Sequence, residues 1–240
     1  MRLFLFFLLG TSLTISGLAQ PTLSVATVRQ QAIQTVLTHH TQADSTTDAL
    51  FLGPEYIPHD RRLKPHPFFD TDLPQPGQIS ADGRVFSVPF QYDLVTDVLV
   101  VTHPAGYRVA LRPERIDSFT VQNHHFRRVA DRAQEGLASG FYDLLYDGPT
   151  RLLARRTKTI LISASTGNGY GQFVPKTTYF LRREGRYVPI ASRKALLKTL
   201  SDRRKELTAH ARQHKARYRA DNELAIRELT QRYDELTRPQ

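Results

Sequence analysis

The chain reads as an α+β protein: an antiparallel β-meander, curled or barrel-like, with a short N-terminal helix and a helical C-terminal tail. Three observations carry that reading. Short alternating segments separated by turn residues run from Gly77 to Ala191. Six prolines crowd residues 51–78 just before them. From Ser192 onward, leucines fall at helical spacing behind capping residues.

The first element is no part of that fold. Arg2 precedes an apolar run from Leu3 to Ile15, and Gly17-Leu18-Ala19 supplies small residues where a signal peptidase reads. The run is shorter than the roughly 20 residues a membrane span needs. Residues 1–19 are therefore expected to be a signal peptide, cut after Ala19. The expected product is exported, periplasmic or secreted, with no transmembrane segment. The chain has no cysteine, so it has no disulfide framework, lipobox or thiolate metal site. An exported eukaryotic protein of this size usually carries disulfides, so the absence leans towards a bacterial source.

Residues 20–50 hold an expected helix and linker. Val25, Val28, Ala32, Val36 and the Ile33/Leu37 pair form a helical stripe behind Ser24, and TQADSTTDA follows. Residues 51–191 combine a proline-rich wrap with the meander body. Proline removes a backbone donor and turns its predecessor away from helix. The wrap is thus extended, with Phe51, Tyr56, Phe68 and Phe69 as anchors. Asp82-Gly83 is a hairpin signal. Arg84–Tyr92 places Phe86, Val88 and Phe90 on one face. Expected strands follow at Val98–Thr102, Tyr107–Leu111, Ile116–Val121, Phe126–Val129, Phe141–Tyr146, Arg151–Ser163, Thr177–Arg182 and Arg186–Ile190. Their turns include Gln122-Asn123, Asp147-Gly148-Pro149 and Glu184-Gly185.

Residues 192–240 form the basic tail. Ser192 is an expected cap for a turn carrying Leu196, Leu197 and Leu200. Ser201 or Asp202 restarts the helix, and Asp221 caps a last segment with Leu224, Leu229, Tyr233 and Leu236. Residues 203–217 between them offer only Leu207 and small alanines, so they are expected to stand away from the body.

Charge is unevenly spread. The net +10 conceals 18 Lys and Arg against three acids over residues 151–219. Such asymmetry speaks about partners. Arg203, Arg204, Lys205, Arg212, Lys215, Arg217 and Arg219 are the candidate residues for binding a polyanion. The partners considered are an anionic envelope glycan, a lipid or membrane surface, and an acidic protein; nucleic acid is not expected in that compartment.

Catalytic patterns are weak. SASTGNGYGQ (163–172) lacks the Lys-Ser/Thr of a phosphate-binding loop. His210 and His214 share a helical face, but no Glu stands beside His210 and cations crowd them. His39-His40 and His124-His125 are adjacent, and neighbours on a strand point to opposite faces. Asp93 with Asp97 and Asp143 with Asp147 read as turn residues. No nucleophile elbow occurs. Tyr142, Tyr146, Tyr170, Tyr179 and Tyr187 lie among basic residues, where aromatics stack rings or fill a sheet core. No catalytic residue, metal ligand or cofactor is assigned.

Several segments resemble a group of uncharacterised exported proteins of the Bacteroidota: LGPEYIP (52–58), HPFF (66–69), VPFQYDLVTDVLV (88–100) and GFYDLLYDGPTRLLARR (140–156). The resemblance implies export and one continuous module, and no chemistry. The expectation is an exported, non-enzymatic binding or envelope-associated protein. The alternatives are a glycan hydrolase using carboxylates not paired in sequence, and a structural subunit of an envelope assembly.

Overall fold

A computed structural model describes residues 50–130, 135–162 and 171–238. The expected signal peptide, N-terminal helix and most of the glycine-rich segment lie outside the described residues.

Ten antiparallel strands form one sheet: β1 (Gln75–Ala81), β2 (Arg84–Asp93), β3 (Val98–Thr102), β4 (Arg108–Ala110), β5 (Ile116–Val121), β6 (His124–Val129), β7 (Gly140–Tyr146), β8 (Leu152–Leu161), β9 (Gln172–Arg183) and β10 (Arg186–Ile190). Their order is β10-β9-β8-β7-β6-β5-β1-β2-β3-β4. The expected meander is thus two meanders joined where β1 pairs with β5. The sheet is not closed; β10 and β4 end it. It still curls, because the β2–β3 turn reaches β8, where the Lys158 amide donates to the Leu94 carbonyl at 2.9 Å.

Local chemistry explains the joints. Asp82 and Gly83 both have positive φ, as do Glu184 and Gly185, which is the twist a two-residue hairpin loop requires. Pro175 is tolerated inside β9 because β10 pairs only with Tyr179–Arg183, which leaves the outer side of the Pro175 stretch without a ladder. β9 therefore starts at Gln172, five residues before the expected Thr177.

Phe86 and Phe90 turn inward as the alternation predicts, with Val88 packed beside them. They join Ile79, Tyr92, Leu99, Phe119, Phe126 and Phe141 in the main core. The proline-rich wrap pairs with β4 through Glu55 and Val109 and covers that edge. It then crosses to β2, where the Phe69 amide donates to the Tyr92 carbonyl at 2.8 Å. Tyr56 and Phe68 are buried anchors, and Phe51 and Phe69 pack half-buried.

The tail is a folded cap of four helices: α1 (Arg193–Thr199), α2 (Arg204–Gln213), α3 (Lys215–Ala220) and α4 (Asn222–Thr237). Ser192 accepts from the Ala195 amide and Asp221 from the Leu224 amide, so both expected caps form. The restart between α1 and α2 is a 3-10 turn, Ser201–Arg203, without a side-chain cap. One expectation is corrected: the middle of the tail does dock. Leu207 and Tyr218 are fully buried with Leu152, Leu181, Ile190, Leu196 and Leu229. A lone leucine suffices because its partners come from β8, β9, β10 and the other helices, not from its own helix.

Candidate anion-binding surface on the helical cap

The cap is built so that its acids are used internally and its cations are left over. Its seven acids all have partners. Asp202 accepts from the Tyr233 hydroxyl at 2.9 Å, and Asp221 caps α4. Glu223 reaches across to Arg156 of β8 at 2.8 Å and accepts from the Tyr179 hydroxyl. Asp234, buried, accepts from the Thr150 amide at 2.9 Å. Glu206, Glu228 and Glu235 pair with Arg203, Arg217 and Arg232. Those three are the only paired ones among the thirteen Lys and Arg of residues 192–238, counting described partners.

Of the seven sequence-predicted residues, Arg204, Lys205, Arg212, Lys215 and Arg219 are exposed and make no ion pair with a described residue. Arg203 sits 3.6 Å from Glu206, and Arg217 sits 2.5 Å from Glu228. Lys205 and Arg212 are seven residues apart on α2, hence nearly on one face and about 10 Å apart along the axis. Leu207 and Ala211 occupy the inward side of that helix. Arg204 flanks an open groove of about 520 Å³ between α1, α2 and α4, floored by Leu197, Ala211 and Leu229. Arg193 and Lys194 of α1 line the same groove. Sequence reasoning missed those two because the leucines beside them made α1 read as a docking element; its own cap, Ser192, already placed them in the first turn, ahead of Leu196 and Leu200.

The other candidates have structural work to do. Asp93 is fully buried and its two oxygens divide the task. One accepts from the Val95 and Thr96 amides, the expected turn role, and the other from the Tyr56 hydroxyl at 2.8 Å, with His59 Nε2 at 2.9 Å. It therefore pins the wrap as well as the turn. Lys158 adds a second pin, donating to the carbonyls of His66 and Phe68. Burial holds that ammonium below its usual pKa. Asp97 accepts from the Tyr92 hydroxyl and Arg155, and Asp147 pairs with Arg151 in its turn.

Asp143 corrects the turn reading. It is a buried strand residue that meets His124 Nδ1 at 2.6 Å and accepts from Arg156 at 2.6 and 2.9 Å. Arg156 continues to Glu223, so the chain His124–Asp143–Arg156–Glu223–Tyr179 ties the sheet to the cap. The Tyr179 hydroxyl is pushed up to about 12, by burial first and then by Glu223. These carboxylates are occupied by fixed cations and donors, which is unlike an acid–base pair facing open space.

No family model, curated protein or solved structure matches the chain.

His210 and His214 do share a face, with ring centroids 4.5 Å apart, and both are half-buried rather than exposed. Burial, then the neighbouring His214 and Arg232, hold His210 below its ordinary pKa. Among the described residues no group of three or more His, Cys, Asp or Glu gathers as a metal would require. Tyr142 and Tyr187 are buried on the face of the sheet opposite the cap, away from Tyr146 and Tyr179, which pack beside the cap cluster.

Proposed function

We propose that this is an exported, non-catalytic binding protein whose helical cap holds a linear anionic glycan. The observation that carries the reading is the asymmetry of pairing in the cap. Every acid there is engaged, and ten of thirteen Lys and Arg are left without an ion pair to a described residue. That surplus repels itself unless a polyanion offsets it.

The cap's other side chains favour a glycan over the remaining anionic partners. Its aromatics, Tyr218 and Tyr233, are buried, so it offers no platform for stacking nucleobases. None of the large exposed apolar side chains of the described residues lies on the cap, whereas an interfacial membrane helix needs such residues beside its cations. Unpaired cations border the groove on this surface, and such an arrangement suits a repeating sulfated or phosphorylated chain. The export component rests on the Leu3–Ile15 run and Gly17-Leu18-Ala19. No helix among the described residues is long and apolar enough to cross a membrane. A mature protein beginning at Gln20, measured by intact mass, checks the cleavage.

Heparin affinity chromatography tests the binding. The wild-type protein is expected to be retained at physiological ionic strength and released by added salt, which shortens the roughly 8 Å screening length. The triple variant Arg204→Glu, Lys205→Glu, Arg212→Glu should flow through with its thermal midpoint nearly unchanged, since none of the three is paired. Flow-through of the wild type sinks the reading. Retention of the wild type only on vesicles of anionic lipid moves the partner to a membrane. Unfolding of the triple variant makes the cationic face structural instead.

A further inference from the structure

The ladder between β8 and β9 sorts side chains to two faces. Leu152 and Leu181 are opposite one another and belong to the cluster beneath the cap; Leu153 and Phe180 are the next pair and point the other way. On that far face Leu137, Tyr142, Leu153 and Tyr187 are buried together, with Val129, Leu144 and Phe180 against them. A cavity of about 210 Å³ opens on this patch. Its lining includes Arg127, Arg151 and Arg182, with Arg128 on the strand between Arg127 and Val129, and Glu135 is the one acid among the described lining residues. Arg151 is held by Asp147 at 2.6 Å. Arg127, Arg128 and Arg182 make no ion pair with a described residue, and Arg127 and Arg182 are exposed.

We propose that this cavity is a second, independent binding site, for a small organic anion with one phosphate or carboxylate head and a compact ring. Two features of the cavity's lining point to it. Arg127 and Arg182 stand on its rim without an ion pair to a described residue, and an anion between them offsets their like charge. Leu137, Leu144 and Leu153 line it, so a ligand with an apolar body takes apolar surface on both sides out of water. The guanidinium fork matches the paired oxygens of a phosphate or carboxylate. The volume equals that of about seven waters in the liquid, which suits a single six-membered ring with its head group. The Tyr142 hydroxyl is already committed to the Ala138 carbonyl at 3.0 Å, so that ring serves as floor and not as a donor to the ligand. The site lies across the sheet from the cap and takes a ligand of different size.

Isothermal titration of the full chain with phenyl phosphate, benzoate and inorganic phosphate tests this. At least one ring-bearing probe is expected to bind saturably at one site per chain, and the tighter of the two assigns the head group. Inorganic phosphate should bind about tenfold or more weakly, because it leaves the apolar floor uncovered. The double variant Arg127→Ala, Arg182→Ala should weaken the best probe about tenfold or more, as loss of charge-assisted hydrogen bonds does. If circular dichroism shows that variant unfolded, Arg182→Ala alone replaces it. The cap variant described above should bind the probe as wild type does, and the pocket variant should stay on heparin. The proposal is overturned if neither ring-bearing probe saturates. It is also overturned if inorganic phosphate binds as tightly as they do, or if binding is lost in the cap variant and kept in the pocket variant.

Discussion

Asp143 shows what a single buried charge does here. Its carboxylate is 1 % exposed and is held by Arg156 and His124, so removing it leaves a guanidinium only 13 % exposed with Glu223 as its remaining described carboxylate partner. Losing the charge-assisted hydrogen bonds to a guanidinium that keeps a second carboxylate costs about 1.5–3 kcal/mol. Asp143→Ala should therefore lower the urea midpoint clearly, whereas Glu235→Ala, in a half-exposed pair with Arg232, should cost under about 1 kcal/mol. Equal midpoints would remove the Asp143 chain as a link between sheet and cap. Two histidines contribute to the acid side of stability. His66 and His210 both have lowered pKa values, chiefly from burial, with Lys158 and His214 respectively adding to it. Around His210 the other charged neighbours are Arg232, which lowers it, and Glu228 and Glu235, which raise it. With the folded values depressed, the unfolded chain binds more protons as pH falls below about 6.5. Their stabilisation is complete above that pH and is lost below it. The thermal midpoint should drop between about pH 7.5 and 5, and His66→Gln with His210→Gln should flatten the drop. An unchanged slope in that double variant counts against both.

At the scale of elements, the informative case is α2. Ten residues of it carry one large apolar side chain, Leu207, and sequence periodicity alone treats such a helix as solvated. The side chain is nonetheless fully buried, against elements remote in sequence. Leu207→Ala should cost about 2–5 kcal/mol, comparable to Phe90→Ala in β2 at about 3–5 kcal/mol. A silent Leu207→Ala would return the tail to a free-standing rod. What could be read in advance was local: the Asp82-Gly83 and Glu184-Gly185 hairpins, the Ser192 and Asp221 caps, and the inward face of β2. What could not be read depends on chain segments far apart. Asp143 looks like a companion of the Asp147 turn until β6, β8 and α4 bring His124, Arg156 and Glu223 around it. The same holds for the far-face cavity, whose arginines are contributed by β6, β9 and the β7–β8 connection. In the candidate surface the seven cations were legible from composition, while Arg193 and Lys194 joined them only through the packing of α1 against α2.

Across the whole molecule, nine strand pairings hold the sheet, and eight of them join strands that follow one another in sequence. The ninth, β1 with β5, aligns Ile79 with Phe119, both buried, and brings together segments some forty residues apart. Hairpins close within microseconds, whereas a distant pairing must first meet the entropy of a large loop. The two meanders are thus positioned to zip independently and to meet at one seam. Refolding speed should be governed there: Ile79→Val is expected to slow refolding in stopped-flow experiments, while Leu207→Ala, in the late-docking cap, should chiefly accelerate unfolding. The opposite partition would mean that the cap forms before the seam. A chain whose slowest event lies between its halves also has a specific hazard during synthesis. Until β5 arrives, β1 offers a bare strand edge, and a second nascent copy can occupy it as readily as the chain's own C-terminal half.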